Sequence, residues 1–176
     1  MDNSLLVSLS SQLAAYRSMD VIANNLANAS TPAFKRESVK FEEMVTQVTP
    51  SEGQIGPQNV SFVKDTGVLR DLTQGSLETT NAPFDVAISG KGYMVIQTPQ
   101  GNRYTRNGHF SLDPNGQLVT SDGQPVLGDG GAITITPDDG DVHIAADGTV
   151  SGKNGDIGKL QLVDFPDERA MTKIGA

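Results

Sequence analysis

Few side chains in this sequence have a spacing that would support catalysis. Its two histidines, His109 and His143, stand 34 positions apart, and each falls in a short alternating run that is typical of a sheet face. The sequence contains no cysteine, which excludes thiol nucleophiles, thiolate metal sites and disulfides. It also lacks the Gly-x-Ser-x-Gly elbow that exposes a catalytic serine. We therefore expect no catalytic residues and no enzymatic activity.

Turns that are rich in aspartate offer the oxygen ligands that calcium prefers. Examples are Asp113-Pro-Asn-Gly116, Asp138-Asp-Gly-Asp141 and Asp147-Gly148. None of them has the ligand order, ending in a bidentate glutamate, that encloses the ion in a calcium loop. Gly90-x-Gly92 resembles the start of a dinucleotide-binding loop, but the third glycine is missing and a strand follows. We expect ordinary turns and no metal or cofactor, with a secreted β-module that binds calcium or carbohydrate as the alternative class.

Charge and hydropathy exclude two kinds of partner. The net charge of -8 opposes contact with nucleic acid, whose phosphates need clustered Lys and Arg. No apolar run approaches the 18 or more residues of a membrane-spanning helix, so a membrane-embedded protein is not expected. Asp2 stands where a secretory signal carries positive charge, so we expect no cleaved signal peptide.

The strongest pattern lies in residues 1–31. Neither Gly nor Pro occurs before Pro32, and we expect a helix that ends between Asn28 and Ser30. Seven positions recur at alternating spacings of four and three, the repeat of a coiled-coil helix, and we call them the seam: Leu5, Leu9, Gln12, Tyr16, Met19, Ala23 and Leu26. A helix of about 24 residues would be about 36 Å long. Such a long apolar stripe predicts packing against helices of a partner.

The remainder of the chain predicts β structure. Residues 32–61 are ambiguous, because Phe41, Met44 and Val45 recur at helical spacing although Val39-x-Phe41 could begin a strand. We interpret this span as a linker or a second short helix. Residues 62–176 alternate short apolar runs with Asn-Gly and Asp-Gly turns, which are strong hairpin signals. They predict an all-β domain of short strands, a meandering sandwich or partly closed barrel. The fold class is therefore mainly β with a long N-terminal helix.

Two groups of residues resemble the axial proteins of the bacterial flagellum. The first group closes the N-terminal helix and comprises Asn24, Asn25, Leu26, Ala27, Asn28, Pro32 and Phe34. The second group lies in the β region and comprises Asp85, Val86, Ala87, Ile88, Gly90, Gly92, Tyr104, Thr105, Arg106 and Gly108. Both occur in the order found in rod subunits of the basal body, and the likeness covers nearly the whole chain.

This resemblance implies a structural subunit of the flagellar basal-body rod. Such subunits polymerise by helix packing into a hollow drive shaft that transmits torque and lets exported subunits pass. The implied partners are other copies of the chain, neighbouring proximal and distal rod proteins and the flagellar type III export apparatus. The implied location is the periplasmic rod, reached without a cleaved signal peptide.

The residues also indicate a branch of the family. The opening Met1-Asp-Asn-Ser-Leu5 and the short span between helix and β region resemble the proximal-rod branch. A distal-rod protein or a hook-type axial protein is the alternative. The family implies further β structure and a C-terminal helix after the position where this sequence stops, Ala176.

Overall fold

The computed structural model describes residues 3–48 and 58–174. The chain divides into two compact units, Met1–Thr73 and Gln74–Ala176, which we call the helix–hairpin unit and the β unit. Within the described residues, no helix is both long enough and apolar enough to cross a membrane. A mainly β protein with one N-terminal helix is confirmed.

The helix–hairpin unit begins with helix α1, Asn3–Ala27. The helix ends one residue before the predicted end, in a turn stabilised by hydrogen bonds between Asn24 and Asn28. The backbone N–H and the side-chain amide of Asn28 both donate to the Asn24 carbonyl, at 3.1 and 3.0 Å. Thr31 Oγ1 donates to Asn28 Oδ1 at 3.2 Å, and Pro32 follows. Asparagine side chains compete for backbone groups in this way and so terminate helices.

Two long antiparallel strands complete the helix–hairpin unit: β1, Glu37–Val48, and β2, Gln58–Arg70. Their register shifts between Lys40 and Phe41, where β2 carries one extra residue, Thr66. The bulge is completed by Gly67, whose φ of 118° is accessible to glycine and strained for other residues.

The hairpin corrects the interpretation of residues 32–61. Residues 37–48 form a strand, and the second short helix suggested by Phe41, Met44 and Val45 does not form. Val39 and Phe41 are half-buried while Ser38 and Lys40 are exposed, a period of two. Pairing with β2 supplies hydrogen bonds that local helical spacing cannot show. The sequence-based domain boundary at 61/62 falls inside β2, and residues 49–57 of the expected linker lie outside the described residues.

The β unit consists of short strands, as expected. They are β3 (Tyr93–Thr98), β4 (Gly101–Thr105), β5 (Phe110–Leu112), β6 (Leu118–Thr120), β7 (Leu127–Gly128), β8 (Gly131–Ala132), β9 (His143–Ile144), β10 (Thr149–Gly152), β11 (Gly155–Lys159) and β12 (Leu162–Val163). Two 3₁₀ turns, Pro137–Asp139 and Glu168–Ala170, lie between and after them.

These strands form small antiparallel sheets in the orders β11-β10-β9, β12-β3-β4, β5-β6 and β7-β8. Isolated bridges such as Ile96 to Val126 and Gly128 to Leu160 connect them. In the described part of the chain none of the sheets closes into a barrel, and the expected short-stranded β fold forms as several small sheets. Strands of two to six residues are too short to wrap a continuous sheet around an axis.

One apolar core holds the β unit together. Its buried members come from four strands and the segments between strands: Met94, Phe110, Leu118, Val126, Ile133, Ile135, Val150 and Leu160. Turns that contain Asn-Gly and Asp-Gly connect strands that carry core residues. In two of these turns Gly116 and Gly148 adopt positive φ values of 79° and 84°, which glycine reaches without strain. Turns therefore form at both predicted positions, but each glycine is the last residue of its turn, since the N–H groups of Gly116 and Gly148 donate to the carbonyls of Asp113 and Ala145.

Candidate assembly surface

One face of helix α1 is covered by the hairpin, and it is the face with small side chains. The covered or half-covered positions recur at spacings of three and four: Val7, Ser10, Ala14, Ser18, Val21 and Asn25. They pack against β1 and β2. Serine and alanine permit close approach of helix and strands. The hydroxyl of Ser10 has a hydrogen-bond partner within the helix, since its Oγ donates to the Val7 carbonyl at 2.8 Å. Val21, 9% exposed, is the one buried apolar side chain in the described part of this unit.

The opposite face of α1 is apolar and exposed. Its large side chains are between 44% and 76% accessible, and we call them the apolar face: Leu5, Leu6, Leu9, Leu13, Tyr16, Met19, Ile22 and Leu26. The two smaller seam residues, Gln12 and Ala23, are exposed as well. All seven seam positions thus point away from the hairpin. Sequence reasoning located the seam but missed the covered stripe, whose only signal is the helical spacing of Ser10, Ala14 and Ser18.

The first family motif joins the end of α1 to the base of the hairpin. Asn25 Nδ2 donates to the Glu37 carbonyl at 2.7 Å, and the Glu37 N–H donates back to Asn25 Oδ1 at 3.0 Å. Leu26, 76% exposed, belongs to the apolar face, whereas Phe34 is half-buried. Asn24, Ala27 and Pro32 are exposed. The motif residues therefore surround one corner of the unit but serve different contacts.

Ion pairs close the base of the hairpin. Glu37 and Arg70, partners in register, form a pair at 3.4 Å, and Arg36 lies 3.5 Å from Asp71. Lys35 Nζ donates to the Thr73 carbonyl at 2.7 Å. A hydrogen bond from the Thr73 hydroxyl, with help from the Thr73 backbone and Arg36, lowers the pKa of Asp71.

The second family motif is brought together within the β unit. The Val86 N–H donates to the Gly108 carbonyl at 2.9 Å, and Asp85 forms an isolated bridge with His109. A Cβ on Gly108 would lie 1.7 Å from the Val86 carbonyl oxygen, so only glycine fits this approach.

Arg106 ties the remaining motif residues to this crossing. Its guanidinium donates to the carbonyls of Gly90 and Gly92, the second at 2.9 Å, and lies 5.2 Å from the centre of the Tyr93 ring. Tyr104 packs edge-on against Phe165. Thr105 Oγ1 accepts from the Asn107 N–H, Ile88 packs on the core and Ala87 is exposed. These contacts are internal to the β unit, which indicates a structural motif.

Two family models match the chain. The model described as "Flagella basal body rod protein" matches residues 5–35, and that described as "Flagellar hook protein FlgE/F/G D1 domain" matches residues 87–152. The first match spans the helix and its closing motif. The second spans most of the β motif, apart from Asp85 and Val86.

Relatives extend the match over almost the whole chain. "Flagellar basal-body rod protein FlgF" of Caulobacter vibrioides is 43% identical over 99% of this chain and 71% of its own length. The FlgF of Mesorhizobium japonicum is 38% identical over 99% of this chain and 70% of its own length. "Flagellar basal-body rod protein FlgG" of Caulobacter vibrioides is 37% identical over 94% of this chain and 69% of its own length.

The chain belongs to the flagellar basal-body rod protein family. It is a structural subunit of the rod, and the resemblance drawn from its two motifs is confirmed. A rod protein assembles with other rod subunits, so the exposed apolar face of α1 is the first surface to consider for that assembly.

The aspartate turns of this rod protein are occupied by their own backbone. Asp113 Oδ1 accepts from the N–H groups of Asn115 and Gln117, both at 2.8 Å. Asp139 Oδ2 accepts from the Thr136 N–H at 2.7 Å, and Asp147 Oδ1 accepts from that of Thr149 at 3.1 Å. Across residues 3–48 and 58–174, no group of three or more acidic or histidine side chains is placed to hold a metal ion. The turn carboxylates act as caps in this structure.

The contact between His109 and Asp85 is also structural in character. His109 Nδ1 lies 2.6 Å from Asp85 Oδ1, and Thr80 Oγ1 donates to the other oxygen of the same carboxylate at 2.6 Å. The Thr80 hydrogen bond, followed by His109, lowers the pKa of Asp85. The His109 side chain is exposed, as the sheet-face interpretation expected, and it joins Asp85 across the Val86–Gly108 crossing.

The β unit of the rod protein is expected to lose stability in acid. Hydrogen bonds from Gln117, Thr136 and Thr149 lower the pKa values of Asp113, Asp139 and Asp147 below the usual 3.8. Because the unfolded chain takes up these protons first as the pH falls, the stabilisation is complete above about pH 4 and is lost below it. Urea midpoints measured between pH 7 and pH 2.5 should fall only in the lower part of that range.

A matched pair of variants tests the source of this acid sensitivity. Asp113→Asn removes a carboxylate that accepts two backbone N–H groups. The urea midpoint of this variant should therefore fall less between pH 5 and pH 2.5 than the urea midpoint of the unmodified chain. Asp122→Asn makes the same charge change at an exposed position. If the urea midpoints of the two variants fell equally in acid, the acid sensitivity could not be assigned to Asp113.

Proposed function

We propose that this rod protein is a proximal-rod subunit that polymerises through the apolar face of α1. In this proposal the polymer is a hollow shaft in the periplasm that transmits motor torque, and the chain reaches it through the flagellar type III export apparatus. The subunit has a mechanical role with no catalytic site and no cofactor. Residues 1–31 supply the axial core segment and residues 62–176 most of the β structure.

The observation that carries the proposal is the orientation of α1. Eight large apolar side chains on one face are 44–76% exposed, while the hairpin covers a stripe of small residues on the other. Apolar patches that are this long and continuous are unusual on a solitary protein and mark interaction surfaces. Because the helix packs its less apolar side within the chain, the seam stays available to neighbouring subunits.

The expected energy shows why many contacts are needed at once. Full burial of a large apolar side chain contributes about 1.5–3 kcal/mol, so a half-exposed one has roughly 1 kcal/mol left to gain. Eight such side chains together approach the cost of association, about 4–15 kcal/mol. Engagement of only part of the face would therefore not hold a subunit. Contacts between different surfaces of successive copies generate helical polymers, as a rod requires.

The FlgF relatives support the proximal assignment, since they reach 43% and 38% identity along 99% of the chain. The FlgG relative at 37% identity keeps the distal rod as a second candidate. Expression in a host that lacks FlgF and in one that lacks FlgG distinguishes the two. Restored swimming only in the second host would contradict the proximal assignment.

Site-specific crosslinking tests the surface itself. The chain has no cysteine, so Met19→Cys and Ser18→Cys each create a single thiol, the first on the apolar face and the second on the covered stripe. After labelling with benzophenone maleimide, isolated rods are irradiated. We expect crosslinks to neighbouring subunits from position 19 and at least about fivefold fewer from position 18, because the hairpin covers it. Equal yields, or crosslinks from position 18 alone, would contradict the proposed surface.

A further inference from the structure

We propose that Asn25 is a positioning residue for assembly: its side-chain amide fixes the angle between α1 and the β1–β2 hairpin and thereby aims the apolar face at neighbouring subunits. This inference rests on the proposed function of that face. It concerns a contact inside the helix–hairpin unit and assigns a role to one of the three asparagines that close α1.

The amide of Asn25 matches the backbone of Glu37 in both directions. Its Nδ2 donates to the Glu37 carbonyl at 2.7 Å and its Oδ1 accepts from the Glu37 N–H at 3.0 Å. A backbone residue offers one donor and one acceptor, and an amide side chain supplies the complement of each from two neighbouring atoms. Aspartate has the same shape but offers acceptors alone when ionised. The contact therefore specifies asparagine by chemistry as well as by size.

Packing alone holds the helix weakly at this angle. In the described part of the unit Val21 is the one buried apolar side chain, and the other covered positions of α1 are small or polar. The ion pair between Arg17 and Asp65 is 3.6 Å long with both side chains about half exposed, and exposed pairs contribute little. The paired hydrogen bonds of Asn25 are directional, so they resist rotation in a way that apolar contact does not.

Asn25 also holds the helix at a firm point of the hairpin. Glu37 is the first residue of β1 and pairs in register with Arg70, the last residue of β2. The Glu37–Arg70 ion pair is 3.4 Å long, with side chains only 22% and 27% exposed. The Asp71 N–H donates to the Arg36 carbonyl at 2.8 Å just beyond this pair. The amide thus attaches the helix to both strands through one residue.

The position of Asn25 near one end of α1 gives it leverage over the whole apolar face. Leu5 lies 20 residues away, which corresponds to about 30 Å along the helix axis. A swing of about 10° at Asn25 would move Leu5 by roughly 5 Å, close to one helical turn. A shift of that size takes seam side chains out of register with the partner helix. Loss of the amide would therefore impair assembly without removing any apolar side chain.

Asn25→Asp and Asn24→Asp form a matched test. Both place the same new charge at adjacent positions, but Asn24 is exposed, and its backbone carbonyl is the group that accepts hydrogen bonds in the turn. The angle between α1 and the hairpin is monitored in the full chain by the distance between two spin labels. The labels are attached at Ser8→Cys and Glu43→Cys, two exposed positions in a protein without cysteine. Samples are diluted with unlabelled protein so that only distances within one molecule are recorded. Rods are counted separately in cells that express each variant without labels.

At pH 7 we expect Asn25→Asp to broaden the distance distribution at least about twofold and to reduce the number of rods at least about tenfold, while Asn24→Asp matches the unmodified chain. At pH 4.5 the distribution of Asn25→Asp should narrow again. Protonation restores a donor toward the Glu37 carbonyl, whose oxygen faces the carboxyl and favours its protonated form. The ionisable groups at this corner include Glu37, Arg70, Arg36, Lys35 and Asp71, and the unmodified chain at both pH values corrects for them.

Each remaining outcome decides the question. A distribution for Asn25→Asp as narrow as that for Asn24→Asp at pH 7 overturns the proposal, as does a broadening that acid fails to reverse. A broad distribution with a normal number of rods shows that the tie exists but does not position the face, which also overturns it. Failure of the proposed function is separate: it appears as normal rods from a chain with a charge on the apolar face, while the spin-label distances are unaffected by that result.

Discussion

Leu9→Asp and Leu26→Asp are expected to abolish rod assembly while the β unit remains folded. Both leucines belong to the apolar face and are 52% and 76% exposed in the single chain. Exposed substitutions of this kind usually change the free energy of unfolding by about 0.5 kcal/mol or less. In the polymer the same carboxylate would be enclosed by apolar side chains with no partner, which costs several kcal/mol for each copy. The large difference between these two costs is what makes the variants informative.

The effect should be amplified in a polymer, because every subunit carries the charge at every contact. A loss of about 4 kcal/mol for each contact corresponds to roughly a thousandfold weaker association. We therefore expect no swimming and no rods by electron microscopy, with an unchanged thermal unfolding transition of the purified chain. Asn24→Asp places the same charge at an exposed position outside the apolar face and should assemble normally. Normal swimming with aspartate at position 9 or 26 would contradict assembly through this surface.

The second large effect is expected inside the β unit, for Gly108→Ala. Gly108 is buried, and a Cβ at this position would lie 1.7 Å from the Val86 carbonyl oxygen and 3.3 Å from the Met94 methyl. Backbone cannot move aside as a flexible side chain can, so the segment that carries Val86 must separate from the 104–109 segment. The separation breaks the 2.9 Å hydrogen bond from Val86 to Gly108 and strains the Asp85–His109 bridge.

The expected destabilisation from Gly108→Ala is about 3 kcal/mol or more, the sum of an overpacked core and a lost buried hydrogen bond. For a domain of this size that corresponds to a fall in melting temperature of about 12 °C or more. Gly75→Ala is the matched control, since its added Cβ would meet nothing within 4 Å. Melting curves followed by circular dichroism give both values. Equal melting temperatures for the two variants would show that the segments separate at no cost.

The two effects distinguish stability from assembly. Charges on the apolar face act on the polymer and leave the β unit intact, whereas Gly108→Ala acts on the β unit and leaves the apolar face as it was. Both variants should abolish swimming. Only the melting temperature tells them apart, which is why it is measured in both experiments.

Local features were predictable from the residues themselves. An uninterrupted run without Gly or Pro and a heptad of apolar positions identified α1, because helix formation depends on neighbours three and four residues away. Positive φ values in tight turns demand glycine, so the Asn-Gly and Asp-Gly pairs marked the turns around Gly116 and Gly148. Both family motifs could likewise be recognised by residue type and order alone.

The tertiary structure decided what depends on residues that are distant in the chain. Residues 41–48 carry helical spacing but become a strand, because β2 supplies the hydrogen bonds for the whole of β1. The stripe from Val7 to Asn25 is covered because its small side chains let the helix approach the hairpin. The more apolar seam on the opposite face therefore remains exposed. The partner of Asn25 is twelve residues away across a turn, so no local pattern could name Glu37. Periodicity along a segment identifies its faces, but only the packing of distant segments determines which face remains exposed.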